Sequence, residues 1–118
     1  MNQSTINIEL FWSRFAGLED VALNMIENFK RLAPEMVNAV EKSAKENDFH
    51  SLEIAAHTLK GAISNFHCEN AIIVAEKLEK ACKLQSLTEI PDLIKQLKLE
   101  VDSVLCALPA LINQKKAS

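Results

Sequence analysis

Two glycines and three prolines in 118 residues constrain the fold of this chain more than any other feature. A β-rich protein reverses direction often and needs turn residues to do so. A chain this poor in breakers must run as long helices joined by few connections. The remaining composition agrees: tyrosine is absent, threonine is rare, and Ala, Leu, Glu and Lys, good helix formers, fill the sequence. The length suits one domain, taken as residues 1–118 with a core over about 8–112, and it can bury a usable core without disulfide or metal staples.

Apolar spacing places the helices. A short first helix is expected over about Ile8–Phe15, with Leu10, Phe11 and Phe15 apolar, Trp12 as a core or lid residue, and Gly17 as the stop. The acidic pair Glu19-Asp20 suits a helix start, and Val21, Met25, Phe29 and Leu32 recur at helical spacing after it. Pro34 interrupts that stripe, which resumes with Met36, Val37, Val40 and Ala44 up to Asn47-Asp48, so this stretch is one kinked helix or two abutting ones. A third helix runs from about Phe49 to Phe66 on Leu52, Ala55, Ala56, Leu59, Ile63 and Phe66. A fourth runs from about Glu69 to Leu84 on Ala71, Val74, Ala75, Leu78, Ala81 and Cys82. The fifth starts near Thr88, accepts Pro91 in its first turn, and carries Ile94, Leu97, Val101, Leu105 and Leu108. The expected fold is all-α: an antiparallel up-down four-helix bundle with an additional short N-terminal helix.

Charge and cysteines exclude several function classes. The net charge is −3, with basic and acidic residues interleaved apart from a Lys115-Lys116 tail read as solubilising, so neither nucleic acid nor an anionic membrane is expected as a partner. Cys68, Cys82 and Cys106 match no zinc or redox spacing and read as reduced packing thiols. Met1 to Ile8 is polar and lacks the basic start of a signal peptide, and the longest apolar run, Val104 to Ile112, contains Pro109 and is too short to span a bilayer. A cytoplasmic protein is expected. There is no P-loop, no kinase glycine-rich loop and no acidic cluster suited to Mg2+, so the chain is expected to bind no ATP and carry no cofactor.

The chemistry concentrates on the third helix. With Leu59 at the centre of its buried face, the other stripe residues fall within about 60°, while His57 falls about 160° away and points outward. Glu53, Gly61 and Ser64 share that outer side, His50 lies two turns before His57 on it, and Lys60 sits at its edge, three residues after His57. Gly61 stands out because a glycine inside a helix costs about 1 kcal/mol relative to alanine. On an exposed face, either a local kink or the close approach of another molecule beside His57 accounts for it. If the third and fourth helices turn back near Cys68, then His57, eleven residues before it, and Glu79, eleven after, sit at one height along the pair. Glu79 is then either a solvated charge or a carboxylate that accepts the Nδ1 proton of His57, leaving Nε2 as the free nucleophilic nitrogen.

The run Ala55-Ala56-His57-Thr58-Leu59-Lys60-Gly61-Ala62, followed by Asn65-Phe66, resembles the AHxLKGA signature of histidine-phosphotransfer (HPt) domains. The short first helix, Phe29 with Pro34, and Asp48-Phe49 before the motif helix resemble that family's layout, over roughly residues 8–108. The resemblance implies that His57 accepts and donates a phosphoryl group through Nε2. It implies that Lys60 offsets the phosphate charge, that Gly61 admits the partner's surface, and that Glu79 orients the imidazole, with Ser64, Glu53 and His50 on the partner-facing side. One departure stands out. The family usually has glycine after the Asn-Phe pair, and here that residue is His67, which affects the local turn and has no expected chemical role.

The implied function is phosphoryl relay between receiver-domain aspartates in two-component signalling. The partners are response-regulator receivers and a hybrid histidine kinase, with Mg2+ on the receiver and the chain itself a monomer. Competing readings are a helical module that binds receivers or kinases without relaying phosphate, and the phosphorylatable amino-terminal domain of a chemotaxis-type histidine kinase. The closeness of Met1 to the first helix favours a free-standing protein over that last one. The docking surface is expected to be apolar around His57 with a polar rim.

Overall fold

In the computed structural model, local chemistry sets several of the helix ends. Residues 6–117 are described, with side chains to residue 113, so the Lys115-Lys116 side chains and the first five residues lie outside the description. Five helices follow one another: α1 Ile8–Arg14, α2 Glu19–Lys45, α3 Phe49–Ser64, α4 Glu69–Lys83 and α5 Ile90–Ala117, with no strand among the described residues. Asn7 caps α1 by accepting the Leu10 amide at 3.0 Å, and Asp48 caps α3 by accepting the Ser51 amide at 3.1 Å and the Ser51 hydroxyl at 2.8 Å. Those hydrogen bonds, the backbone one foremost, hold the Asp48 carboxyl below its ordinary range. No helix among the described residues is long and apolar enough to cross a membrane.

The first four helices are each followed by a residue in the left-handed region: Gly17 (φ 81°), Asn47 (φ 55°), His67 (φ 57°) and Gln85 (φ 52°). At Asn47 the amides of Asn47 and Asp48 return to the carbonyls of Ala44 and Ser43, and at Gln85 the amides of Gln85 and Ser86 return to Cys82 and Ala81. This is the Schellman closure of a helix end, which satisfies carbonyls left open by the last turn. His67 is likewise left-handed after α3, with its amide returned to the Ser64 carbonyl, at the strain cost a β-carbon brings there.

Between Glu19 and Lys45 there is one helix, with Pro34 inside it. Pro34 is exposed, so its ring lies on the solvent face, while Phe29, Ala33 and Val40 on either side of it are buried in one continuous core. Burial of both halves outweighs the single backbone hydrogen bond that proline removes. The expected inward face of α2 needs correction by about one residue. Val21 is exposed and Met25 and Leu32 are only partly buried beside the buried Ala22, Ile26 and Ala33, while Phe29 and Val40 are buried as expected. In α5 the centre of the stripe is likewise Leu93, Leu97, Val101, Val104, Leu108 and Leu111, with Ile94 and Leu105 partly buried beside it.

Helix α3 packs most extensively on α4 and then on α2, α5 packs on both α4 and α2, and α1 lies against α5. At the end of the core near α1, Phe66 is fully buried with the ring of Phe11 stacked on it at 5.8 Å and that of Phe29 set edge-on at 5.0 Å. The Trp12 indole N–H donates to the Leu111 carbonyl at 2.9 Å and clasps α1 to α5. Trp12 is therefore a partly buried packing residue, tied down by its one polar atom.

Candidate functional site

Three ion pairs fix the register of α3 on α4: His57 with Glu79, Glu53 with Lys83, and Lys60 with Glu76. In each pair the two residues are equidistant from Cys68, which makes α3 and α4 an antiparallel hairpin hinged at that residue. Buried alanines at 55, 56, 71 and 75 keep side-chain bulk out of the space between the helices, so polar side chains beside them reach across.

His57 is on the outer face, its side chain 70% exposed, and Nδ1 lies 2.7 Å from Glu79 Oε2. The other Glu79 oxygen, Oε1, accepts from the Lys60 ammonium at 2.7 Å. Glu79 is only 15% exposed and Lys60 23%. Burial pushes the Glu79 carboxyl upward, but the hydrogen bonds from Lys60 and His57 outweigh it and hold the group below its ordinary value. The Lys60 ammonium is raised by its hydrogen bond to Glu79, the larger effect, against a smaller desolvation cost. An ionised carboxylate only accepts hydrogen bonds, so Nδ1 carries the ring proton, and in the neutral ring Nε2 holds the lone pair. Glu79 is thus bound, not solvated, and it links the imidazole to Lys60.

The remaining sequence candidates gather around this centre to different degrees. Gly61 is exposed, and a β-carbon built on it meets nothing within 4 Å, so no internal packing demands the glycine. The Ser64 hydroxyl donates to the Gly61 carbonyl at 2.8 Å and stays on the outer face. Glu53 pairs with Lys83 at 3.6 Å. His50 is exposed and lines, with Glu53, Ile54 and His57 of α3, an open hollow completed by Glu76, Glu79, Lys80 and Lys83 of α4. His67 is not among the residues lining it. On the α4 side of this hollow, sequence reasoning found Glu79 and missed Glu76, Lys80 and Lys83. The signal was present, because the hairpin register that pairs residue 57 with 79 also pairs 53 with 83 and 60 with 76. The surroundings of His57 are also more charged than the apolar surface expected: Ile54, 53% exposed, is the large apolar side chain that lines the hollow.

Comparison with known proteins places this arrangement. The model of the Hpt domain family matches residues 24–106. The chain belongs to the Hpt domain family. The fold of histidine-containing phosphotransfer protein B from Pseudomonas aeruginosa PAO1 superposes on it with a TM-score of 0.83 at 19% identity, covering 99% of each chain. No curated protein matches the sequence. The role of the chain is histidine phosphotransfer in a phosphorelay: Hpt domains carry phosphoryl groups and interact with receiver domains and kinases.

Proposed function

We propose that His57 is the residue that carries the phosphoryl group, received from and returned to receiver-domain aspartates through Nε2. The observation that supports this most is the fixed ring: the His57 side chain is largely exposed and is held at Nδ1 by an ionised carboxylate 2.7 Å away. Attack on the acyl phosphate is in line. The receiver brings the aspartate, the Mg2+ ion and a lysine, so most of the catalytic charge stabilisation lies on the partner. This chain contributes a nucleophile with its lone pair aimed outward and a carboxylate that stabilises the ring as it becomes cationic. Lys60 holds that carboxylate in place and adds positive charge beside the phosphoryl group. Gly61 leaves open the surface one turn beyond His57, where the receiver's active-site loops approach, with Ser64, Glu53 and His50 around it.

In this reading the chain is one domain, an up-down four-helix bundle with α1 as an added helix, and acts in the cytoplasm as a monomeric carrier without an ATP site. A response-regulator receiver and a hybrid histidine kinase are its partners, met through a small, transient contact. The test is to mix the protein with a phosphorylated receiver and measure acid-labile, base-stable phosphate on it. Transfer is expected in the wild type and absent in His57→Gln. Undiminished transfer in His57→Gln would overturn the assignment.

A further inference from the structure

The hollow beside His57 contains a cation that the resting site does not use. In the nucleophilic form of the site, with the imidazole neutral, Glu79 carries one negative charge and Lys60 one positive, so the three linked groups balance. When a phosphoryl group arrives, the Nε2 lone pair forms the N–P bond and the P–O bond to the donor aspartate breaks, its carboxylate leaving with the electron pair. The Nδ1 proton stays on the ring. The imidazole becomes cationic against Glu79, and the phosphoryl group places about two negative charges on the solvent side of the ring. Lys60 is poorly placed to answer them alone. Its ammonium is 2.7 Å from Glu79 and 3.9 Å from Glu76, and moving outward would loosen Glu79 just as the new ring charge requires it.

We propose that Lys80 is a second residue that holds the phosphoryl group on His57, beside Lys60, whose ammonium also positions Glu79. This rests on His57 as the phosphoryl carrier. Lys80 follows Glu79 directly in α4, is exposed, and lines the same hollow as His57. Of the three lysines lining that hollow, Lys60 and Lys83 are committed to carboxylates, and Lys80 has no ion-pair partner among the described residues. It is the uncommitted positive charge nearest in sequence to the Glu79 contact, and its long flexible chain can follow the phosphoryl oxygens. At the solvent-screened strength of an exposed pair, it favours the phosphorylated form by about 3- to 10-fold.

The experiment is the equilibrium constant for phosphoryl exchange between a receiver and the full chain, measured for wild type, Lys80→Gln, Lys80→Arg and Lys77→Gln. Lys77 is exposed on α4 but does not line the hollow. Lys80→Gln is expected to shift the equilibrium toward the phosphorylated receiver by about 3- to 10-fold, less as salt is added. Lys80→Arg is expected to restore it to within about twofold, and Lys77→Gln to leave it at the wild-type value. A residue that served only docking would change forward and reverse rates together and leave the equilibrium constant untouched. An unchanged constant in Lys80→Gln, or an equal shift in Lys77→Gln, overturns the proposal for Lys80. Failure of the wild type to take phosphate at His57 would instead overturn the reading on which it rests.

Discussion

Removing the Glu79 carboxylate tests the site most sharply, because one group serves two neighbours. In Glu79→Ala the imidazole loses its acceptor and Lys60 loses its main partner, each now 2.7 Å away. Charge-assisted hydrogen bonds contribute about 1.5–3 kcal/mol each when well shielded. Here Lys60 at 23% exposure and His57 at 70% recover much of that from water, so the stability loss is expected to be about 1–2 kcal/mol. For a domain of this length that lowers Tm by roughly 4–8 °C, which thermal unfolding followed by circular dichroism resolves. The transfer rate falls further. The ring regains rotational freedom, and the positive charge developing on it loses its counter-ion, together about 1.5–3 kcal/mol of activation free energy, or about 10- to 100-fold. Glu79→Gln keeps an acceptor for Nδ1 and loses the charge, so it should fall between, at about 3- to 10-fold slower. The pH dependence follows from the shifts. The folded-state value of Glu79 is lowered from 4.5, so its contribution is present above that pH and is lost as acid protonates the folded carboxylate. The value of Lys60 is raised from 10.5, so the same interaction is present below that pH and lost in stronger base. The part of the stability difference between wild type and Glu79→Gln that comes from the Glu79–Lys60 pair should therefore be present between about pH 5 and 10 and be lost on either side. A transfer rate in Glu79→Ala within about twofold of wild type, measured by rapid quench against a phosphorylated receiver, refutes the orienting role.

Three further outcomes are expected. Gly61→Ala should raise stability by up to about 1 kcal/mol, since the added β-carbon meets nothing within 4 Å, whereas Gly61→Leu should keep helicity and slow transfer at least about tenfold. Unchanged transfer in Gly61→Leu would remove the close-approach argument. His67→Gly relieves left-handed strain of about 1–2 kcal/mol, offset in part by the greater freedom of glycine in the unfolded chain, for a net gain of about 0.5–1 kcal/mol in denaturant titration; a loss of stability would show that the His67 side chain packs usefully. Burial pushes the thiols of Cys68 and Cys82 up to about 12 and about 11 respectively, while Cys106 is exposed, so one thiol should react with a disulfide reagent at pH 8 in the native protein and three after unfolding.

The helices were legible because their signal is local. A residue's angle on a helix depends only on its distance along the chain, so Leu59 at the centre of one face places His57 on the other without knowledge of any partner. Helix α2 marks where that reasoning loses accuracy. Val21 and Leu32 carry larger apolar side chains than their neighbours Ala22 and Ala33, yet in each pair the alanine is the buried residue. Size weights a periodic pattern toward bulky residues, whereas close packing against other helices selects small ones. Pro34 shows the same limit: local rules allow a break or a kink, and a core continuous on both sides of the proline decided for one helix.

Within the site, the sequence by itself determined that His57 faces outward, that Gly61 lies one turn beyond it on the same side, and that Glu79 stands at its height across a turn near Cys68. Tertiary structure decided how these groups divide the work. Lys60, at the edge of its face, could send its ammonium to solvent or inward, and only the close approach of α3 and α4 brings it to 2.7 Å from Glu79. The same approach pairs Lys83 with Glu53 and leaves Lys80 uncommitted beside His57. Angle along a helix is a property of the chain, but the distance between two helices depends on side-chain volumes contributed by both, and a hydrogen bond is decided within a few tenths of an ångström of that distance.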